Sequence, residues 1–424
     1  METNFSFVDS ADYKKKEYDE LIQWLFSQIP NYQKQGKSAY KPGLESIKSL
    51  TQLFGNPEKK LKCIHIGGTN GKGSTSSMIA SVLQESGYKV GLYTSPHLID
   101  FTERIKLGGK NVDKGFVFQF LKKVQNLSLD FEPSFFEITT LLAYCYFAHS
   151  KVDYALIEVG LGGRLDSTNT ITPVVSAITN IALDHTDLLG ETLEEIAWEK
   201  AGIIKPGVPI VSGDENPSVI EVLKNRAKEL NSPFIDATEI KTNLSSDLKG
   251  NYQKKNIRVA LSVLEELRKK GIAISSDSIT QGLLKVQENT QFLGRWYEFS
   301  HDPLVLCDTG HNHAGLIEVF AQLESLAPYK HIVLGFVQDK KIEQVMQILP
   351  SNAQYYFVKP AIERGRNPEE YEDLLKRAKI NYKIFNSVQE GYLAAKQNVK
   401  NSEIVFIGGS NFVVGEFLEI NLEK

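Results

Sequence analysis

Short apolar runs alternate with longer amphipathic stretches through most of this chain. Between Leu61 and Gly213 the runs that suit buried strands are LKCIHI, YKVGLYT, YALIEV, VVSAITNI and VPIVSG. The stretches between them, such as ITTLLAYCYFA and LEEIAWEKAGII, have the length and spacing of helices. Strands that alternate with helices indicate a mainly parallel sheet covered on both faces. The pattern therefore predicts an α/β fold.

The same alternation starts afresh in the C-terminal part of the chain. PLVLCD, HIVLGF, AQYYFV and EIVFIGG read as strands, and helices are predicted from Ala314, Ile342 and Pro368. We therefore predict two domains. The larger one covers residues 1–292 and begins with a helical leader, YDELIQWLF and LESIKSLTQLF, and a smaller Rossmann-like α/β domain covers residues 293–424.

Composition and charge narrow the classes of partner. The chain has 424 residues and is 42% hydrophobic, and its 48 Lys and Arg residues nearly balance its 52 Asp and Glu residues. A formal net charge of -4 provides no field that would attract nucleic acid or an anionic membrane. The N-terminus lacks the apolar stretch of a secretory signal, and the three cysteines lie far apart in mainly apolar surroundings. We therefore expect a cytoplasmic monomer that binds small molecules.

A glycine-rich turn, in CIHIGGTNGKGSTSSMIASVL, joins a buried strand directly to a helix. Backbone N–H groups in such a turn and at the helix N-terminus attract phosphate oxygens, and Lys72 adds a positive charge. Ser74 or Thr75 is placed to meet a metal ion bound to the phosphates. Compared with the motif GxxxxGK[ST], Ile66 replaces the first glycine and Gly73 separates the lysine from the hydroxyl. The turn predicts a P-loop ATPase-like first domain with nucleotide contacts at Thr69, Asn70, Gly71, Lys72, Gly73 and Ser74.

Polar side chains follow the strands YALIEV and VVSAITNI, at the sheet edge where parallel sheets collect ligand-binding groups. Glu158 ends the first of these strands, and His185 follows the second, between Asp184 and Asp187. Each residue alone has an ordinary structural explanation, but together beside a phosphate turn they predict a magnesium site. The helical periodicity around Lys200 is typical of a surface lysine.

Five stretches of the chain resemble the folylpolyglutamate synthase/dihydrofolate synthase family of the Mur ligase superfamily. GGTNGKGST is similar to the family's phosphate loop, including the glycine after the lysine. SPHL with TERI, EVGLGGRLDSTN, LDHTDLLGETLEEIAWEKAGIIK and CDTGHNHAG resemble its other signatures. The family more often has Ala-His-Asn-Pro where this chain has Gly310 to His313. The His-x-His pair there would suit a transition metal, but we interpret the neighbouring Cys307 as a buried apolar residue and not as a third ligand.

The resemblance implies ATP, two magnesium ions and a carbamylated lysine. A carbamate supplies two oxygen ligands, whereas a free lysine supplies none. The residues that would hold the metal are Ser95, Glu158, His185 and carbamylated Lys200. The catalytic residues would be Lys72, His185 and Lys200. The residues that would reach ATP from the second domain are Arg295, Asp308 and His311, with Asn312 a weaker candidate. Substrate contacts would come from Phe135, Phe136, Arg164 and Asp166.

By the same resemblance, the protein would be an ATP-dependent amide ligase that adds L-glutamate to dihydropteroate and to folates. The substrate carboxylate would attack the γ-phosphate, and the amine of glutamate would then displace phosphate from the acyl phosphate. Two alternatives stay open. One is another amino-acid ligase of the Mur superfamily, and the other is a phosphate-loop switch that hydrolyses nucleotide to drive a partner.

Overall fold

The computed structural model describes residues 7–8, 12–27, 43–338 and 340–422. These residues form two compact units. Unit 1 contains the described residues up to His97, together with Phe101–Asp247 and Lys254–Gln291. Unit 2 contains the described residues from Phe292 onward and two short segments from earlier in the chain, Leu98–Asp100 and Leu248–Gln253. A single cut in the sequence therefore does not separate the units.

An eight-stranded sheet forms the centre of unit 1. Its strands are β1 Cys63–Gly67, β2 Val90–Tyr93, β3 Ile105–Leu107, β4 Lys110–Asn111, β5 Tyr154–Glu158, β6 Val175–Ile178, β7 Ile210–Ser212 and β8 Phe234–Asp236. They lie in the order β4-β3-β2-β5-β1-β6-β7-β8. The neighbours from β2 to β8 pair in parallel, and β3 pairs antiparallel with β2 and β4. The predicted mainly parallel sheet is confirmed.

Helices cover this sheet. The helices are α1 Lys15–Ser27, α2 Glu45–Leu53, α3 Lys72–Glu85, α4 Lys114–Gln125, α5 Phe135–His149, α6 Thr186–Leu189, α7 Leu193–Ala201, α8 Pro217–Glu229, α9 Gln253–Lys269, α10 Ser276–Leu284 and α11 Val286–Thr290. Helix α5 packs against α2, α4 and β2. The side chains of Ser134 and Glu137 cap its first turn, which fixes where the helix begins. In the part of the chain that the structure describes, no helix is long and apolar enough to cross a membrane.

A six-stranded sheet forms the centre of unit 2. Its strands are β9 Tyr297–His301, β10 Leu304–Cys307, β11 Lys330–Leu334, β12 Ala353–Val358, β13 Asn381–Phe385 and β14 Ile404–Gly408. They lie in the order β13-β12-β11-β14-β10-β9, and all neighbours are parallel except β9 with β10. The helices are α12 His313–Leu326, α13 Ile342–Met346, α14 Glu372–Ala378, α15 Val388–Asn398 and α16 Asn411–Leu422.

Both faces of the second sheet are covered. Leu306 and Cys307, which are adjacent in β10, belong to two different apolar clusters, because successive side chains of a strand point to opposite faces. The same alternation places Ile332 and Val333 of β11 in different clusters. The predicted second α/β unit, with helices on both faces of its sheet, is confirmed.

Close packing of α10 against α3 leaves no room for a side chain at Gly282. A Cβ atom there would lie 2.5 Å from the Cα atom of Val82, and a backbone atom cannot move aside without shifting its helix. We expect Gly282→Ala to lower the free energy of unfolding by about 1–2 kcal/mol, because the overlap outweighs the greater helix propensity of alanine. Urea denaturation followed by circular dichroism measures this loss.

The matched control is Gln281→Ala, which changes an exposed residue of the same helix. It should alter the free energy of unfolding by less than about 0.5 kcal/mol. A Gly282→Ala variant as stable as this control would contradict the packing argument.

Candidate functional site

The glycine turn between β1 and α3 needs two positions without side chains. Gly68 and Gly71 have φ angles of +134° and +85°, which other residues rarely adopt. A Cβ atom on Gly68 would lie 2.0 Å from Oγ1 of Thr179, and one on Gly71 would lie 2.2 Å from Oδ1 of Asn256. The turn therefore fits against its neighbours only as bare backbone.

The segment after β6 holds this turn in place. The backbone N–H of Thr69 donates to the carbonyl of Asn180 (2.8 Å), and that of Asn70 donates to Oδ1 of Asn180 (2.8 Å). The hydroxyl of Thr179 donates to the carbonyl of Asn70 (2.6 Å). These two N–H groups are therefore used inside the protein. The attraction for phosphate comes instead from the N-terminus of α3 and from Lys72.

Two side chains at the start of α3 suit a polyphosphate. Nζ of Lys72 donates to the carbonyls of Gly68 and Thr69, both at 3.1 Å, so that the ammonium lies over the turn. The hydroxyl of Thr75 is fully buried and has no hydrogen-bond partner among the described residues. The hydroxyls of Ser76 and Ser77 in the same helix share this property, so it does not by itself distinguish Thr75.

Four adjacent strands bring the predicted metal ligands to one edge of the sheet. In the order β2-β5-β1-β6, Ser95 follows β2, Glu158 ends β5, the glycine turn follows β1, and His185 follows β6. The backbone N–H of Ser95 donates to Oε2 of Glu158 at 3.3 Å, which places these two residues side by side. His185 immediately precedes α6, with a φ of +50°.

Lys200 is buried, so the surface position inferred from helical periodicity is wrong. The residue is only 5% exposed, and its Nζ donates to the carbonyl of Gly68 at 3.0 Å, beneath the glycine turn. Burial and the charge of Lys72 lower the pKa of Lys200 to about 7. Helix α7 is short, and the loop after β5 covers its last turn: a Cβ atom on Gly163 would lie 2.8 Å from the carbonyl of Lys200. Periodicity cannot reveal a covering that comes from elsewhere in the chain.

A modified Lys200 would add oxygen ligands to the predicted metal-binding set. In the described parts of the chain, no group of three or more His, Cys, Asp and Glu side chains is arranged to hold a metal ion. The predicted set has only two such side chains, Glu158 and His185, with the hydroxyl of Ser95. An ammonium group on Lys200 would repel a cation, whereas a carbamate would add two oxygen ligands of the kind that magnesium prefers.

Two side chains predicted to contact the substrate, both in the loop after β5, already have partners within the protein. The carboxylate of Asp166 is 5% exposed and accepts hydrogen bonds from the backbone N–H groups of Leu161 (2.8 Å) and Thr168 (3.0 Å). Nη2 of Arg164 lies 2.8 Å from Oε1 of Glu199, and its guanidinium group lies over the ring of Trp198. Asp166 thus shapes the loop, while Arg164 remains partly exposed beside α7.

The two adjacent phenylalanines at the start of α5 have different surroundings. Phe135 is 3% exposed and packs against Phe26 and Phe101 in the apolar core. Phe136 is partly buried and lies against Gly160, where a Cβ atom would come within 2.4 Å of its ring. Phe136 therefore borders the loop that follows Glu158, whereas Phe135 supports that region from the core.

Sequence reasoning missed two residues of this region. Arg104 is 2% exposed; its Nε donates to Nδ1 of His97 at 2.8 Å, and burial lowers its pKa to about 10 although Glu158 favours its charged form. Asn256 lies against Gly71 and is 5% exposed. Arg104 belongs to the TERI signature, which could have drawn attention to it. Asn256 lies in a helical stretch of ordinary appearance, in which a buried polar residue gives no local signal.

In unit 2 the carboxylate of Asp308 is almost fully enclosed. Its Oδ2 accepts hydrogen bonds from the hydroxyl of Tyr252 (2.5 Å) and the backbone N–H of Trp296 (2.8 Å), and its Oδ1 accepts one from Gly310 (2.7 Å). Nη1 of Arg295 lies 3.9 Å from Oδ1. Tyr252 belongs to one of the two short segments that unit 2 takes from earlier in the chain.

The turn after β10 leads into α12. Nδ1 of His311 lies 3.1 Å from the carbonyl of Thr309. The side chain of Asn312 accepts a hydrogen bond from the backbone N–H of Gly315 (2.8 Å) and thereby caps the helix, which begins at His313. The helix cap gives Asn312 a structural role.

Comparison with known proteins covers nearly the whole chain. Residues 66–264 match the Mur ligase middle domain, and residues 294–411 match the Mur ligase glutamate ligase domain. The chain is 33% identical over 434 residues to a dihydrofolate synthase/folylpolyglutamate synthase of Bacillus subtilis, with 94% of this chain and 98% of the relative covered.

Solved structures resemble the chain over a similar length. Escherichia coli FolC in complex with DHPP and ADP has a TM-score of 0.81 and 27% identity, and the match covers 94% of this chain and 97% of that one. A bifunctional folylpolyglutamate synthase/dihydrofolate synthase with Mn, AMPPNP and L-glutamate bound has a TM-score of 0.79 and 28% identity, and the match covers 91% and 95% of the two chains.

The Tyr252→Phe variant tests how much the hydrogen bond from the Tyr252 hydroxyl to Asp308 contributes to the stability of the protein. We expect Tyr252→Phe to lower the free energy of unfolding by about 1.5–3 kcal/mol, the range for hydrogen bonds to charged groups. Tyr382→Phe is the matched control, because the Tyr382 hydroxyl donates to Oε1 of the partly exposed Glu372 at 3.0 Å. This control should lose less than about 1 kcal/mol, since water replaces an exposed bond. Equal losses in chemical denaturation would argue against a special role for the buried bond.

Proposed function

This chain belongs to the folylpolyglutamate synthase/dihydrofolate synthase family of Mur ligases, and from that premise we propose which residues carry its reaction. It is an ATP-dependent ligase that adds L-glutamate to dihydropteroate and to folates. One observation carries the assignment of residues: four adjacent strands bring Ser95, Glu158, the glycine turn and the segment with His185 to one sheet edge, with Lys200 bonded to that turn.

The first step turns a carboxylate, which is a poor electrophile, into an acyl phosphate. An oxygen of the pterin substrate's carboxylate attacks the γ-phosphorus of ATP, the bond to the bridging oxygen breaks, and ADP leaves. Lys72 and the N-terminus of α3 stabilise the negative charge on the group that is transferred. In the second step the amine of L-glutamate attacks the acyl carbon, phosphate leaves with the bonding electrons, and the nitrogen loses a proton.

Ser95, Glu158, His185 and carbamylated Lys200 are the residues that would hold magnesium, which we expect as two ions. A bound divalent cation offsets the negative charge of the phosphates. The manganese ion and nucleotide analogue in a related structure support the requirement for ATP and a divalent cation. In this proposal His185 takes part in catalysis as a metal ligand.

The environment of Lys200 supports carbamylation. A neutral lysine amine attacks carbon dioxide, a nitrogen–carbon bond forms, and one proton is released. The pKa of about 7 that burial and Lys72 give Lys200 leaves a large share of its amine neutral near pH 7. The ammonium group of Lys72 then attracts the carbamate anion, which relieves the repulsion between the two lysines.

Arg295, Asp308 and His311 are the residues of unit 2 that we assign to ATP. Arg295, with 30% of its side chain exposed, would meet ATP directly, whereas Asp308, which is 1% exposed and held by three hydrogen bonds, would act from beneath it. We assign Phe136 and Arg164 to contacts with the pterin substrate, because both side chains are partly exposed. Phe135 and Asp166, which are buried, support the substrate site from within the fold.

Membership of the family removes the support for a phosphate-loop switch. Residues 294–411 match the Mur ligase glutamate ligase domain, and a nucleotide-driven switch would not need a ligase domain. Similarity to the Bacillus subtilis dihydrofolate synthase/folylpolyglutamate synthase, over 98% of that relative, favours this substrate class over the acceptors of other Mur ligases. The expected monomeric state and cytoplasmic location stay predictions.

The reaction itself is tested by ADP formation with magnesium and ATP. We expect turnover only when a pterin substrate and L-glutamate are both present, because attack on the acyl phosphate by the amine completes the cycle. Dihydropteroate and tetrahydrofolate, supplied separately, should each support turnover. ADP formation that persists at full rate without either pterin or glutamate would overturn the assignment.

Lys200→Ala should lower kcat by about a hundredfold or more, since loss of a metal ligand removes several kcal/mol of charge stabilisation. Short-chain carboxylic acids such as acetate should restore part of the activity, because they can replace the carbamate oxygens in the space left by the side chain. The matched control is Lys205→Ala, which removes a half-buried lysine that donates to the carbonyl of Asn169 (3.0 Å). Acetate should not affect the control. Full activity of Lys200→Ala without acetate would exclude an essential carbamate.

A further inference from the structure

Asp214 is a buried carboxylate that forms no ion pair with a Lys, Arg or His side chain of the described residues. It follows β7 and is 4% exposed. Its Oδ2 accepts a hydrogen bond from the backbone N–H of Ile181 at 2.6 Å, and its Oδ1 accepts one from Asn216 at 2.8 Å. The nearby cations Lys255 and Arg258 pair instead with the adjacent Glu215. Two backbone amides therefore compensate for the burial of this charge.

Burial of a carboxylate without an ion-pair partner is costly. Desolvation raises the pKa of Asp214, and the two backbone hydrogen bonds oppose that rise. At the end of the next strand, β8, Asp236 caps a short turn through Thr238 while remaining partly exposed. A strand end at this edge of the sheet can thus be closed without burying a carboxylate against the neighbouring segment.

The amide that Asp214 holds lies between the two residues that grip the glycine turn. On one side of Ile181, Asn180 accepts hydrogen bonds from the N–H groups of Thr69 and Asn70. On the other side, the backbone N–H of Ala182 donates to Oγ1 of Thr69 at 3.0 Å. Asn180 and Ala182 thus meet the turn, while the N–H of Ile181 between them meets Asp214.

We propose that Asp214 is a positioning residue for ATP binding, which acts through the backbone of Ile181 to hold the glycine turn at Thr69 and Asn70. The proposal rests on the nucleotide site proposed above. The same segment continues to His185, so Asp214 also fixes one end of the stretch that carries this metal ligand. Asp214 itself touches neither nucleotide nor metal in this role.

The test is Asp214→Asn, which keeps the size of the side chain but leaves one of the two amides facing an NH2 group. We expect KM for ATP to rise about tenfold, the usual effect of losing one hydrogen bond to a charged group, while kcat changes less than threefold. Hydrogen exchange at Thr69, Asn70 and Ile181 should become faster. Asp236→Asn is the matched control, since it makes the same chemical change one strand further from the turn, and it should leave KM and exchange unchanged.

If the asparagine variant does not fold, Asp214→Ser is the second variant, because its hydroxyl keeps one hydrogen-bond acceptor. We expect the same rise in KM for ATP. A lower melting temperature with unchanged KM for ATP and unchanged exchange at Thr69 and Asn70 would show a merely structural role and overturn the proposal.

Lys72→Ala distinguishes this failure from failure of the nucleotide site. If Lys72→Ala binds ATP as tightly as the wild type, the nucleotide site itself is wrong. If only Lys72→Ala is impaired, the role of Asp214 alone is wrong.

Discussion

The site in unit 1 depends on the way in which β6 and the segment after it hold the glycine turn. Bare backbone at Gly68 and Gly71 lets the turn lie against Thr179 and Asn256, and Asn180 takes up two of its N–H groups. The turn is therefore fixed before any ligand arrives. A fixed turn sets the direction of α3 and places Lys72 above it, while Lys200 bonds to the carbonyl of Gly68 from within the protein.

A second consequence of this arrangement is a concentration of charge where water is excluded. Lys72 and Lys200 both donate to the backbone carbonyl of Gly68, and Arg104 is buried close enough to Glu158 to feel its charge. Such groups weaken a folded protein unless each is hydrogen-bonded or meets a charge of opposite sign. Here the hydrogen bonds come from the protein, and we expect further negative charge from the substrates and from the carbamate proposed for Lys200. The site is thus prepared for anions at some expense in stability.

The sequence was sufficient for the features that are local. A buried strand, a glycine turn, Lys72 and a helix are consecutive in the chain, and the strand ends that carry Glu158 and His185 follow from the parallel sheet. The burial of Lys200 could not be predicted from periodicity, because it depends on a loop some 40 residues earlier in the chain, and only the family resemblance singled this residue out. Strands β3, β4, β8, β9 and β13 were also missed. They lie at or near the sheet edges, where the strands are short or partly exposed and lose the continuous apolar character of buried strands.

The contribution of residues 248–253 to unit 2 affects how far the protein can be treated as two modules. Tyr252 reaches Asp308 from a part of the chain that precedes α9, a helix that belongs mainly to unit 1. A fragment cut just before Phe292 would carry Asp308 without this tyrosine, and it would also lack residues 98–100. Exchange of the C-terminal part between related enzymes would meet the same difficulty, since the grafted half would have to fit a tyrosine supplied by its host. Because of this order of residues along the chain, recombination of the two halves would have to match all three segments that make up unit 2.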